Sequence, residues 1–227
     1  MSDAARQRTN MVESQVMTAD VTDRRILRAM SELPRERFVP ASFATLAYID
    51  ESVPLSSTPA AGAAAGQRRW LIAPRTLSKL LQLADISETD RVLVVGPGTG
   101  YSAAVLARMA KSVVALESDA GLADQMRQTL AALSISNVSV VDGALPEGWS
   151  AEAPYDAIVI DGAIAERPRL LLDQLKDGGR LVAVVVSDGV GQGTIWRRLG
   201  RSSDRWAEFD AAAPLLPGFE VAPTFAL

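Results

Sequence analysis

The chain has 227 residues and contains neither cysteine nor histidine. Without these residues it cannot form a disulfide bond, a thiolate metal site, a cysteine or histidine nucleophile, or a Ser-His-Asp triad. Imidazole acid–base chemistry and the commonest zinc sites are excluded as well, although carboxylates alone can bind a metal ion. The chemistry of this chain must therefore depend on other groups, and we expect no metal site.

Neither sign of charge dominates, because 23 Lys and Arg residues stand against 27 Asp and Glu residues, for a net charge of −4. Such a chain has no overall positive field to attract nucleic acid. The first ten residues are polar and lack the apolar core of a secretory signal, and no stretch approaches the ~18 apolar residues of a membrane-spanning helix. We therefore expect a cytoplasmic protein that binds neither nucleic acid nor membranes, with its oligomeric state left open.

Hydrophobic residues make up 48% of the chain, which is enough for one sizeable core. We expect a single domain over residues 1–227, with an N-terminal helical and loop extension at 1–73 and an α/β core at 74–227. The stretch at 60–66, which contains only alanine and glycine, is expected to be a loop within the extension.

Helical periodicity is clearest near the middle of this extension. Thr22 is the expected N-cap of a helix in which Ile26, Leu27 and Met30 recur at helical spacing, and Pro34 ends the pattern. An earlier helix is expected at 11–16. A further helix is expected to begin at Pro74, followed by Leu77, Leu80, Leu81 and Ala84.

From Arg91 onward, short β-branched runs alternate with helical segments, which is typical of a mostly parallel sheet covered by helices on both faces. The expected strands are 92–95, 113–116, 138–141, 157–160 and 181–186. The expected helices are 103–109, 122–133 and 169–175. Beyond Val186 the pattern breaks up, with two late strands expected at 206–210 and 221–227.

A glycine-rich turn follows the first of these strands, with glycines at 96, 98 and 100 and a predicted helix directly after them. Such a turn lets the backbone pass close to a ligand and directs free N–H groups towards it. The spacing is G-x-G-x-G. The dinucleotide fingerprint G-x-G-x-x-G would need a glycine at Tyr101, so a nucleotide-like ligand is favoured over a dinucleotide.

Acidic residues end the next two predicted strands. Glu117 lies about 20 residues past the first glycine, where a carboxylate can accept both hydroxyls of a ribose. Asp142-Gly143 ends the third strand, at the edge where an adenine amino group would need an acceptor. Three neighbouring strands that end in such groups indicate one shared nucleoside site, although a single acid after a strand is often only a solvated turn residue.

This combination resembles class I S-adenosylmethionine-dependent methyltransferases with a Rossmann-like fold. Further segments are similar to the protein-L-isoaspartate O-methyltransferase family and run in order along the chain: Met11-Val12-Glu13-Ser14-Gln15, Ile26-Leu27-Arg28-Ala29-Met30, Pro34-Arg35-Glu36-Arg37-Phe38-Val39-Pro40, Ala47-Tyr48-Ile49-Asp50, Gly100-Tyr101-Ser102-Ala103-Ala104-Val105-Leu106-Ala107, Tyr155-Asp156-Ala157-Ile158-Val159 and Asp177-Gly178-Gly179-Arg180-Leu181-Val182. The N-terminal Pro-Arg-Glu-x-Phe-Val-Pro segment is specific, because it is not part of the general methyltransferase core.

The resemblance implies that S-adenosylmethionine is the cofactor and that the methyl acceptor is the carboxylate of isoaspartyl residues in proteins. Such a carboxylate is already ionised at neutral pH, so methyl transfer needs alignment and desolvation but no general base. The lack of histidine is therefore compatible with this reaction, and no catalytic residue is assigned. The expected cofactor-binding residues are Gly96, Gly98, Thr99, Gly100, Tyr101, Glu117, Asp142, Gly143 and Asp161.

The chain departs from the family at three places. Where the family has Gly-Gln-Thr-Ile-Ser-Gln-Pro, this chain has Arg68-Arg69-Trp70-Leu71-Ile72-Ala73-Pro74, so that Ile72 stands at the serine and Trp70 at the threonine. Val94 replaces an acidic residue that faces the methionine end of the cofactor. Asp161-Gly162-Ala163 replaces Thr-Ala-Ala, and Asp161 either restores an acidic group in the cleft or caps a helix.

These departures leave several hypotheses open. Arg68, Arg69 and Arg75 either receive an anionic substrate or are merely solvated. The chain is either an isoaspartyl methyltransferase, a methyltransferase for another acceptor, or a non-catalytic regulatory relative, which Ile72 and Val94 would favour. An NAD-dependent oxidoreductase is disfavoured by the glycine spacing and by the lack of a second nucleotide-binding half.

Overall fold

The computed structural model describes residues 3–56 and 68–220. A seven-stranded sheet, in the order β5-β4-β3-β6-β7-β8-β9, forms its centre, and a two-stranded ribbon pairs β1 with β2. The strands are β1 (Val53–Pro54), β2 (Trp70–Leu71), β3 (Arg91–Val95), β4 (Ser112–Glu117), β5 (Val138–Asp142), β6 (Tyr155–Ile164), β7 (Leu175–Ser187), β8 (Val190–Leu199) and β9 (Ser202–Asp210). The helices are α1 (Asp3–Met11), α2 (Arg24–Glu32), α3 (Pro74–Ala84), α4 (Tyr101–Ala107), α5 (Ala120–Ala132) and α6 (Arg169–Asp173).

The five strands β3 to β7 are parallel, whereas β8 and β9 complete the sheet as antiparallel strands. Successive residues of β3 face opposite sides: Val92 and Val94 belong to one buried cluster, and Leu93 and Val95 belong to the other. Both faces of the sheet are therefore covered, as the continuous apolar runs predict. The Rossmann-like α/β fold expected from the sequence is confirmed.

The strand order reverses at β3, which has β4 on one side and β6 on the other. Ligands of open α/β sheets bind outside the carboxyl ends of the strands at such a switch point. The glycine turn at 96–100 follows β3 directly. The fold therefore places this turn where a ligand site is expected.

The antiparallel part of the sheet is more regular than the sequence predicts. β9 includes the predicted strand at 206–210, but β8 occupies 190–199, where we expected the pattern to break up. Glycines interrupt the alternation of apolar and polar residues that would identify this strand. Gly193, which has no side chain, leaves room for the ring of Phe209 on the neighbouring strand. The other late strand, predicted at 221–227, lies outside the described residues, as does the predicted loop at 60–66.

The N-terminal extension packs onto the same buried cluster as α3 and α4. Helix α2 begins one residue later than predicted: Asp23, not Thr22, is the N-cap, and its side chain accepts a hydrogen bond from the Arg25 N–H at 2.8 Å. Thr22 instead donates its backbone N–H to the side chain of Gln82 at 2.7 Å. The expected helix at 11–16 is found as the end of α1, which continues into a π-helical turn at Val12–Val16.

One buried arginine joins the extension to the core. The guanidinium of Arg35 donates to the backbone carbonyls of Ala47, at 2.7 Å, and Ile72, at 2.6 Å, and lies 4.7 Å from the centre of the Tyr101 ring. Burial lowers the pKa of Arg35 from its ordinary value. Arg35 therefore fixes the position of the segment that leads from Ile72 into α3.

None of the helices in the described ranges, 3–56 and 68–220, has the length and apolar character needed to cross a membrane. The same residues bring no three acidic side chains together in a way that could hold a metal ion.

Candidate functional site

The glycine turn has a left-handed backbone at all three glycines. The φ angles are +74° at Gly96, +57° at Gly98 and +97° at Gly100. Side-chain-bearing residues rarely adopt these angles, because their Cβ would clash with the backbone. Gly100 is also the N-cap of α4. The turn thus brings buried backbone, with few side chains, to the carboxyl end of β3.

Glu117 lies across from this turn at the end of β4, as the sequence predicts. Its side chain is fully buried and accepts a hydrogen bond from the Gly98 N–H at 2.9 Å. Its other carboxylate oxygen accepts the backbone N–H groups of Ser118, at 2.8 Å, and Asp119, at 3.1 Å. The structure therefore brings Glu117 and the glycine turn together in one place.

The same carboxylate forms a buried salt bridge with Arg69, of which only 6% of the side chain is exposed. The second terminal nitrogen of Arg69 donates to the Gly96 carbonyl at 2.7 Å. Arg69 precedes β2, and its own carbonyl accepts the Leu55 N–H at 2.9 Å, so the β1–β2 ribbon holds it against the turn. Sequence reasoning missed this pairing.

The C-terminal segment covers the other side of the turn. The backbone of residues 214–216 pairs with Ala163 through an Ala163 N–H to Pro214 carbonyl bond of 2.8 Å and a Leu216 N–H to Ala163 carbonyl bond of 2.9 Å. A Cβ built on Gly96 would lie 2.9 Å from Leu216 Cδ1, and one built on Gly162 would lie 2.6 Å from Leu216 Cγ. The side chain of Leu216 therefore fills the space between these two glycines.

Asp161 is buried in the same region, on β6, with 3% of its surface exposed. The Ser102 hydroxyl donates to one of its carboxylate oxygens, and the other oxygen has no hydrogen-bond partner within the part of the chain that the structure describes. Burial raises the pKa of Asp161 to about 6, against the opposing effects of the Ser102 hydrogen bond and of the Arg69 and Arg35 charges. Asp161 is therefore part of the β6 strand, not the cap of a helix.

Asp142 and Gly143 lie at the end of β5, next to the end of β4. Glu117 is paired in register with Asp142, and the Gly143 N–H donates to the Glu117 carbonyl at 3.1 Å. The half-exposed side chain of Asp142 forms an ion pair with Arg127 of α5. A Cβ on Gly143 would lie 3.5 Å from the ring of Trp149. These two residues thus stand beside Glu117, at the more open edge of the site.

Thr99 and Tyr101 connect the turn to the N-terminal extension. The Thr99 hydroxyl donates to the Phe38 carbonyl, and the Tyr101 ring packs edge-on against Phe38 with 5.4 Å between the ring centres. Tyr101 is fully buried, and burial raises the pKa of its hydroxyl. Both side chains, which we expected to bind a cofactor, contact residues of the extension in this structure.

The residues that depart from the family pattern are buried in the core. Ile72 is 1% exposed and Val94 is fully buried, both in the cluster on the extension side of the sheet. Of the arginines that might receive a substrate, Arg69 is paired with Glu117 and Arg75 with Asp50, whereas Arg68 is exposed. Two of the three guanidinium groups are therefore already paired within the protein.

The chemistry of this site fits a nucleoside-like ligand that carries a positive charge. Glu117 can accept hydroxyl hydrogens, the glycine turn permits close approach of the backbone, and Asp161 can face a cation. The Cβ atoms absent from Gly96 and Gly162 leave a cradle between the ends of β3 and β6, into which Leu216 projects. Sequence reasoning missed Leu55, Ser102 and Leu216, of which only Ser102, directly after the glycine turn, carries a local signal. It names Arg69 only as a candidate for receiving an anionic substrate, not as the partner of Glu117.

A sequence model of the protein-L-isoaspartate(D-aspartate) O-methyltransferase family matches residues 6–202. The protein-L-isoaspartate O-methyltransferase of Methanoculleus marisnigri is 39% identical over 180 residues, which are 79% of this chain and 77% of the relative. The enzyme of the same name from Methylorubrum extorquens is 39% identical over 220 residues, which are 95% of this chain and 91% of the relative.

Solved structures agree with these sequence relationships at the level of the fold. A protein-L-isoaspartate O-methyltransferase superimposes with a TM-score of 0.77 at 23% identity, covering 93% of this chain and 66% of that chain. A Plasmodium falciparum structure described as a putative protein-L-isoaspartate O-methyltransferase in complex with S-adenosyl-L-homocysteine gives a TM-score of 0.73 at 19% identity, covering 92% of this chain and 97% of that chain.

Proposed function

This chain belongs to the protein-L-isoaspartate(D-aspartate) O-methyltransferase family, and we propose that it transfers a methyl group from S-adenosylmethionine to the carboxylate of isoaspartyl residues in proteins. One structural observation supports this proposal above the others: Glu117 and the Gly98 N–H meet in a buried position at the point where the sheet order reverses. Both are arranged as a nucleoside site requires.

Each part of the site has a proposed role towards the cofactor. Glu117 accepts the ribose hydroxyls, and the turn of Gly96, Gly98, Thr99, Gly100 and Tyr101 supplies the closely approaching backbone. Asp142 and Gly143 lie at the adenine end, because they follow the strand next to that of Glu117. The sheet supports these assignments, because β3, β4 and β5, which end at these residues, are neighbouring strands.

Asp161 takes the cationic end of the cofactor in this proposal. Val94 has lost the acidic group that the family carries before the glycine turn, whereas Asp161 provides a buried carboxylate on the adjacent strand. One of its oxygens has no hydrogen-bond partner among the described residues, so it can accept from a ligand. A cation would also favour the ionised form of this carboxylate and thereby lower its pKa.

The cofactor supplies an electrophilic methyl group, and the protein contributes alignment and the exclusion of water. The acceptor carboxylate is already ionised at neutral pH, so no side chain needs to remove a proton. A chain without histidine can therefore carry out this reaction, and the proposal assigns no general base. We also propose that residues 1–227 form one domain, that its location is cytoplasmic and that nucleic acid is not a partner; the net charge of −4 supports the last of these.

Two measurements test the proposed function. Calorimetric titration with S-adenosylmethionine, S-adenosylhomocysteine and NAD should give binding of the first two ligands and none of NAD. A methyl-transfer assay should then label an isoaspartyl peptide and leave the matched aspartyl peptide unlabelled. Binding of neither S-adenosyl ligand at millimolar concentration would overturn the proposal.

The assay also separates a second candidate, a methyltransferase for another acceptor. The aliphatic side chain of Ile72 favours this candidate, because this position carries a hydroxyl in the family and here has no group that can hydrogen-bond. Cofactor binding together with labelling of a different carboxylate, and not of the isoaspartyl peptide, would establish it.

A further inference from the structure

Two side chains of the protein occupy the proposed cofactor site: one bonds to its hydrogen-bond acceptors, and the other fills the space beside its glycines. Arg69 donates to the Glu117 carboxylate and to the Gly96 carbonyl, while Leu216 lies between Gly96 and Gly162. Arg69 and Leu216 come from distant parts of the chain, yet both contact the same glycine. A Cβ on Gly96 would lie 3.1 Å from Arg69 and 2.9 Å from Leu216.

Arg69 resembles a ligand in its hydrogen bonding. A ribose presents hydroxyl donors to Glu117, and the guanidinium presents N–H donors to the same carboxylate. One carboxylate oxygen of Glu117 already accepts from Arg69, Ser118 and Asp119. A ribose that uses this oxygen must therefore displace Arg69.

Leu216 is held in place by its own backbone, not by its side chain alone. Its segment pairs with Ala163, and the Ala165 N–H donates to the Phe219 carbonyl at 3.1 Å, which extends the attachment along the chain. Leu216 is 4% exposed and belongs to the cluster on the face of the sheet opposite the extension. The preceding residue, Leu215, packs instead against the cluster on the extension side.

We propose that Arg69 and Leu216 form an internal plug of the nucleoside site, so that the affinity for the cofactor is set by competition between the ligand and these two side chains. This inference rests on the proposed function. Only molecules whose plug has moved bind the ligand, so the measured dissociation constant exceeds that of the open site by the inverse of the open fraction.

The plug explains why a buried arginine stands where the family has glutamine. The hypothesis that Arg69 receives the substrate carboxylate requires free N–H groups directed at the substrate, but Arg69 uses its terminal nitrogens on Glu117 and Gly96. Glu117 keeps the N–H groups of Gly98, Ser118 and Asp119 when Arg69 moves away. The open site therefore retains a hydrogen-bonded carboxylate that can receive a ribose.

Four variants, titrated calorimetrically with S-adenosylhomocysteine, test this proposal. Arg69→Gln installs the family residue, and Arg68→Gln makes the same change at the exposed neighbour. Leu216→Ala empties the space beside Gly96, and Leu215→Ala makes the same truncation one residue earlier. We expect Arg69→Gln and Leu216→Ala each to lower the dissociation constant by about tenfold, and the two controls to leave it unchanged.

The outcomes distinguish the plug from the proposed function. Binding by the wild type with no gain in either Arg69→Gln or Leu216→Ala over its control overturns the plug and leaves the proposed function standing. Weaker binding by Arg69→Gln also overturns the plug, because Arg69 is then a ligand contact. Failure of the wild type and all four variants to bind overturns the proposed function itself. Thermal melts by circular dichroism verify that each variant is folded.

Discussion

The Gly98 N–H and the Arg69 guanidinium donate to opposite oxygens of the Glu117 carboxylate. This one side chain therefore joins the turn after β3 to the segment before β2. Because the Glu117 side chain is fully buried, these donors replace the water molecules that would hydrogen-bond to its oxygens at an exposed position.

Glu117→Gln should destabilise the protein by about 3–5 kcal/mol, because Arg69 would be left buried without a counter-charge. Equilibrium unfolding in urea measures the loss. Glu152→Gln is the matched control, since its pair with Arg91 is about one-third exposed and should contribute about 0–1 kcal/mol. Equal losses in the two variants would contradict the buried character of the Arg69–Glu117 pair.

Asp161→Asn should stabilise the protein at pH 8 and have little effect at pH 4. Burial raises the pKa of Asp161 to about 6 from an ordinary value of 3.8, so the folded state holds a proton that the unfolded state has released between these pH values. Stability therefore falls as the pH rises through this window, by about 2–3 kcal/mol in total. Asparagine removes the charge while keeping an acceptor for Ser102.

The same variant should bind S-adenosylhomocysteine more weakly at pH 8, because the carboxylate proposed to face the cofactor is gone. Urea unfolding across the pH range measures the stability, and calorimetry measures the affinity. Asp142→Asn, a change at a half-exposed position, should show no comparable gain in stability. A pH-independent difference between Asp161→Asn and the wild type would refute the assignment of the raised pKa to this residue.

Arg35→Lys should be nearly as damaging as Arg35→Met, with each losing about 3 kcal/mol or more. The guanidinium spans two carbonyls, those of Ala47 and Ile72, and a lysine ammonium is too compact to reproduce this geometry. The midpoint of thermal unfolding is a suitable measure. Arg37→Lys, an exposed change two residues later, should leave the midpoint unchanged. Full rescue by lysine would mean that charge alone matters at position 35.

Gly98→Ala should destabilise the protein by about 1 kcal/mol or more, because alanine is strained in a left-handed backbone. It should also abolish binding of S-adenosylhomocysteine. Its new Cβ would also meet the side chain of Leu55. Gly178→Ala is the control, because Gly178 has a φ of +74° but no neighbouring atom within 4 Å of its added Cβ. The control should lose similar stability through its backbone and keep the affinity. Unchanged binding by Gly98→Ala would argue against close approach of a ligand to this turn.

The parallel strands and the glycine turn could be predicted because their signals are local. A β-branched run of four to six residues indicates a buried strand, and glycines directly after it indicate a turn with unusual backbone angles. Strand β8 escaped prediction because Gly191 and Gly193 interrupt its pattern, although the space beside Gly193 serves the ring of Phe209 on the next strand. Asp23 was missed as an N-cap because Thr22, one residue earlier, is also a favourable cap type.

The structure brings Glu117 and the turn together, as the sequence predicts, and surrounds them with residues that the sequence does not reveal. Arg69 lies 48 residues before Glu117, and no periodicity connects two such positions. Leu216 has an ordinary aliphatic side chain in a sequence rich in leucine. Contacts of this kind follow from how the ribbon and the C-terminal segment fold back onto the sheet, so only the three-dimensional arrangement reveals them.

The hydrogen bond between Arg35 and residue 72 explains why the side chain at position 72 is free to differ from that of the relatives. Arg35 bonds to the main-chain oxygen of Ile72, an atom that every amino acid provides. Evolution could therefore exchange the family's serine for isoleucine without loosening the anchorage of the extension. The side chain at position 72 can therefore vary while the architecture is inherited unchanged.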